Sequence, residues 1–66
     1  MVYMRPPSRI TRILNKLELY WKRHPDLRLS QLIWTATHTG GWNQDDIFHA
    51  EDETLEDGLN QLIQGD

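Results

Sequence analysis

Apolar residues recur along this chain in three blocks, each at the spacing of a helix. From Arg9 to about His24, the residues Ile10, Ile13, Leu14, Leu17 and Trp21 follow an i, i+3, i+4, i+7, i+11 pattern. At about 100° per residue they gather within roughly 100° of arc, with Tyr20 at the margin. Ser8 is the expected N-cap, and Pro25, which disfavours helical geometry at His24 and lacks an N–H, is the expected stop. Leu29, Leu32, Ile33 and Ala36 then mark a second helix over 29–39, with Leu27 plugging the corner and Gly40-Gly41 ending the helix. A third helix over 52–64 carries Leu55, Leu59, Leu62 and Ile63, capped by Glu51 or Asp52. Gly58 weakens that helix and points to a close helix–helix approach.

The pattern therefore predicts an all-α, small three-helix domain, with helices at about 9–24, 29–39 and 52–64 and a structured loop at 42–50. Residues 1–7 read as an extended arm, held by Pro6 and Pro7, with Tyr3 packing back on a single domain over 8–66. Ile10, Leu14, Leu29 and Phe48 are expected in the core beside Leu17, Trp21, Leu32, Ile33, Leu55, Leu59 and Leu62. Ile47 and Phe48 are expected to form a buried lid.

Composition narrows the function classes. Sixty-six residues with 38% hydrophobic content make one domain, close to the size at which a self-sufficient core becomes hard to build. With no cysteine, disulfides and thiolate metal sites are excluded and a cytoplasmic location is the natural expectation. No apolar run approaches the roughly 20 residues that span a bilayer, so no membrane association is expected, and the N-terminus lacks a signal-peptide core. The net charge of −3 is sharply divided. Up to Arg28 there are seven cations against two carboxylates, a net of +5; from Leu29 onward there are eight carboxylates and no Lys or Arg, a net of −8.

Arg9, Arg12, Lys16 and Arg23 share about 60° of the first helix opposite its apolar stripe, with Leu19 among them. Cations beside an outward leucine suit an acidic partner; the plain alternative is a solvated face. Arg9 and Arg12 lie in the first turns, where the helix dipole disfavours them, so local helix stability does not explain their placement. Trp34 projects about 100° from the second helix's stripe on the side of His38, either anchoring a partner or covered by the arm or loop. Trp42 is a loop plug or a second contact. Arg28 reads as a structural ion pair, with Asp26 or with the carboxylates at 45–52. The acidic run from Glu51 to Asp57 complements a helix N-terminus. His24, His38 and His49 lack metal-ligand spacing, and no phosphate loop or nucleophile motif is present, so no metal, no cofactor and no enzymatic activity are expected.

Arg9-Ile10, Ile13-Leu14, Trp21, Pro25-Asp26-Leu27-Arg28-Leu29, Gln31-Leu32-Ile33, Phe48 and Glu51-Asp52 together resemble a family of small, uncharacterised bacterial and phage proteins. Its common form runs Arg-Ile … Trp … Pro-Asp-Leu-Arg-Leu-Gly-Gln-Leu-Ile … Phe-Tyr-x-Glu-Asp, and the likeness extends from Arg9 to about Leu62. Ser30 stands where that form has Gly, and His49 where it has Tyr. The resemblance implies a small helical domain and brings no activity with it.

The reading that follows is a non-enzymatic protein-interaction module, of a size that fits a small phage or mobile-element regulator of a host protein. It would bind an acidic protein partner through Arg9, Arg12, Lys16, Leu19 and Arg23 and through the Trp34–His38 face. A homodimer joining basic face to acidic face is compatible with the same charge division. The alternative is a nucleic-acid-binding, helix-turn-helix-like domain using the first helix. Nucleic acid is disfavoured because neither later helix contains a Lys or Arg to meet phosphates.

Overall fold

The computed structural model describes residues 6–65, and among these it has three helices and no strand. They are α1 (Ser8–Arg23), α2 (Leu29–Thr39) and α3 (Asp52–Gly65). The expected arm, Tyr3 included, lies outside the described residues apart from Pro6 and Pro7.

Local chemistry sets each boundary. Ser8 is the first residue of α1 and not its cap. Pro7 occupies the cap position with φ −62° and ψ −20°, and no side chain caps the helix. The carbonyls of Pro6 and Pro7 accept from the N–H groups of Arg9 and Ile10 at 3.2 and 3.0 Å, so two prolines with preset φ start the helix without a hydroxyl. At the other end the His24 N–H reaches the carbonyls of Tyr20 and Trp21, and Pro25 then has none to offer. In α2 the Gln31 side chain accepts from the Arg28 N–H at 3.0 Å. Thr37, wholly inside the fold, satisfies its hydroxyl on the Ile33 carbonyl at 2.7 Å. Gly41 leaves the helix with φ 115°, a conformation that favours glycine.

The three apolar side chains fully buried among the described residues are Leu32, Ala36 and Leu59, all on α2 and α3. These two helices pack intimately, and α1 rests chiefly on α3. Their closeness comes from small residues: a Cβ on Gly40 would lie 1.9 Å from the Thr54 carbonyl oxygen, so the backbones touch where α2 ends. The close approach expected at Gly58 is present at the same crossing. Ile13, Leu17, Tyr20, Trp21, Leu27, Leu55 and Leu62 surround this centre half-buried. Leu27 does fill the corner, and its carbonyl accepts the Trp21 indole N–H at 2.8 Å.

Four residues expected in the core are outside it. Ile10 (49% exposed), Leu14 (54%) and Leu29 (41%) are open to solvent, and Phe48 is 83% exposed. The expected lid is thus only half present: Ile47 is half-buried, whereas Phe48 points outward. Its N–H is caught by the Asp46 carboxylate at 2.9 Å, a turn that directs the ring away from the helices and edge-on to His49.

Candidate functional site

Three cations of α1 are engaged by carboxylates of α3. Arg12 forks onto Glu56 of α3, its Nε 2.6 Å from Oε2 and its terminal nitrogen 2.9 Å from Oε1. Lys16 reaches the same Oε2 at 2.5 Å, and Arg9 pairs with Asp52 at 3.2 Å. Two cations and three hydrogen bonds converge on one carboxylate whose side chain is 12% exposed. Glu56 is held down to about pKa 2, first by the Arg12 hydrogen bonds and then by that of Lys16. The same contact raises Arg12 above its usual value.

This corrects the expectation of an outward basic stripe. Arg9, Arg12 and Lys16 bridge α1 to α3, Arg9 through Asp52 and the other two through Glu56, 44 and 40 residues away in the chain. Leu19, 45% exposed, and Arg23 remain on the surface. They are left without the three cations that would have made the stripe an acid-binding surface or a phosphate-binding one.

The Trp34–His38 face is turned to a structural use. The two rings lie 3.8 Å apart, the Trp34 indole N–H donates to the Asp45 carbonyl at 3.2 Å, and His38 Nε2 meets the Gln44 carbonyl at 2.5 Å. Trp42 donates to the Asp46 carbonyl at 2.8 Å. The loop therefore folds along Trp34 while leaving 45% of that residue exposed. Asp26 and Arg28 are both exposed and form no ion pair with each other, correcting the pairing expected at the hinge.

What α1 does present is its apolar stripe. Swinging the cations toward α3 rotates the helix so that Ile13, Leu17 and Tyr20 make the contact, while Ile10 and Leu14, about 60–100° further round, stay outside. None of the α1 residues is fully buried. Beside Leu14 runs an open groove of about 540 Å³, lined by Leu14, Leu17, Glu18, Trp21, Lys22 and Pro25. Glu18 and Lys22, absent from the sequence-based candidates, pair at 3.0 Å along its rim. A signal for this was present in the pattern. α3 has one apolar stripe and packs chiefly on α2, so α1 covers only part of its own stripe and Ile10 and Leu14 are left over.

Among the described residues no group of three or more His, Asp or Glu is placed to hold a metal ion, and no helix is long and apolar enough to cross a membrane. No family model, no curated protein and no solved structure matches this chain.

Proposed function

We propose that the chain is a non-enzymatic protein-interaction module whose docking surface is the apolar ridge of α1. One observation carries this reading: an amphipathic helix keeps Ile10 and Leu14 about half exposed beside a groove floored by Leu17 and Trp21. Over the 11 helical steps from Ile10 to Trp21 the ridge is about 17 Å long, the length over which one helix lies along another. The exposed halves of Ile10 and Leu14 contribute nothing to folding, whereas burying them against a partner is favourable by about 25 cal/mol per Å² of apolar area. The interaction is mediated by apolar contact, with Glu18 and Lys22 at the rim supplying orientation.

The test is a photo-crosslinking residue in place of Leu14, carried in cells of the native host, with the same probe at Asn15 and Ser30 as exposed controls. Adducts formed at position 14 alone, and suppressed by excess unlabelled protein, are the expected result. Equal labelling at all three positions removes the ridge from consideration.

A further inference from the structure

We propose that the occupant of the ridge is a second copy of the chain, its α1 laid antiparallel across the first; this rests on the reading of the ridge as a docking surface. The groove residues are positionally self-reciprocal. When one α1 runs antiparallel to another about the midpoint between Leu19 and Tyr20, Leu17 comes level with Lys22 of the second copy and Glu18 with Trp21, while Leu14 comes level with the turn that follows the second copy's α1. The four groove positions 17, 18, 21 and 22 on the helix thus exchange with one another, as a twofold interface requires. Helices crossing at about 20° keep such a seam in contact over several turns.

The rim charges choose between occupants. Glu18 and Lys22 are well exposed, at 60% and 76%, and carry opposite signs on the same edge of the groove. A uniformly acidic partner would set Glu18 against its own sign, and a uniformly basic one would do so with Lys22. In the antiparallel pair Glu18 falls one residue, about 1.5 Å along the axis, from the position directly opposite Lys22 of the second copy. Two such exchanges close a ring of alternating charge.

The small core points the same way. Among the described residues three apolar side chains are fully buried, and the chain has no cysteine to cross-link it. Chains of this size commonly complete their core by association when disulfides and metals are lacking.

The experiment is sedimentation equilibrium of the full chain from about 1 μM to 1 mM, with Leu14→Glu, Glu18→Lys, Lys22→Glu and an equimolar mixture of the last two. Circular dichroism on each variant confirms that helix content is retained. The wild-type chain is expected to dimerise, and Leu14→Glu to weaken the dimer at least about tenfold. Each single reversal creates a ring of like charge and weakens it several-fold. Their mixture, in which one copy carries two cations and the other two carboxylates, recovers to within about twofold of the wild type. A chain monomeric at 1 mM overturns the proposal, as does a dimer indifferent to Leu14→Glu. Loss on Leu14→Glu without recovery in the mixture overturns the antiparallel pairing. A monomer that still forms specific adducts at position 14 with another protein leaves the docking surface standing and removes only the second copy.

Discussion

Gly58 of α3 faces the Ala36 carbonyl of α2 so closely that a methyl group on Gly58 would lie 1.6 Å from the oxygen. No flexible side chain stands between them to give way, because the obstructing atoms are backbone on both helices. Leu32, Ala36 and Leu59 are buried around this crossing, so the spacing of the two helices and the packing of the core are one property.

Gly58→Ala is accordingly expected to cost about 3 kcal/mol or more, through forced separation of α2 from α3. Gly65→Ala, which meets nothing within 4 Å, serves as the control and should stay within about 0.5 kcal/mol. Urea denaturation of both variants checks this. A Gly58→Ala protein of wild-type stability would mean the helices can part without loss.

Acid is expected to destabilise the fold through Glu56. Its folded pKa, about 2, is depressed from the ordinary 4.5, so its stabilisation is complete above 4.5 and disappears as pH falls toward 2. Urea midpoints measured from pH 6 down to pH 2 should fall through that window. Glu56→Gln should lower stability near pH 6 by about 2 kcal/mol, the scale of a charge-assisted hydrogen bond. It should also flatten the acid slope, and an unchanged slope would place the acid response elsewhere.

Leu14 and Leu32 are both leucines on apolar helix stripes, and their substitution should separate widely. Leu32→Ala, at a fully buried site, is expected to cost about 2–5 kcal/mol. Leu14→Ser, at a site 54% exposed, should change the stability of the monomer by about 0.5 kcal/mol or less. Thermal melts at low micromolar protein make the comparison, and equal losses would return Leu14 to the core.

These contrasts show where the sequence was legible. Hydrophobic spacing located all three helices to within a residue or so, because each stripe is a local property of the chain. Leu27 at the corner and the close approach at Gly58 were readable for the same reason. The rotation of α1 was not. A helical wheel shows which side of α1 is apolar, but what covers that side depends on Glu56, which lies in another helix and is drawn to Arg12 and Lys16. The usual inference that cations face water and leucines face inward failed at Lys16, 27% exposed, and at Leu14, 54% exposed, for this single non-local cause. Phe48 was misplaced by a shorter-range effect, since the Asp46 carboxylate fixes its backbone before hydrophobicity can turn the ring inward.

Trp34→Phe should loosen the loop without unfolding the domain. It keeps the aromatic ring near His38 and removes only the donor to Asp45, a loss of about 1 kcal/mol. Hydrogen exchange of amides at 42–50 is the appropriate readout. Faster exchange there, with α2 and α3 unchanged, is the expected result, and uniform acceleration would make Trp34 a core residue.

The fastening of that loop leaves its composition unusually free. Trp34, His38 and Trp42 supply the ring nitrogens, but what they hold are the main-chain carbonyls of Asp45, Gln44 and Asp46. Every amino acid brings the same carbonyl, so the clasp does not depend on which side chains occupy positions 44 and 45. Shape and surface chemistry are thereby uncoupled: mutation can rewrite the charge and polarity displayed at those positions while the path of the chain persists. Drift or selection can thus change what this edge of the molecule displays without first having to rebuild the fold beneath it.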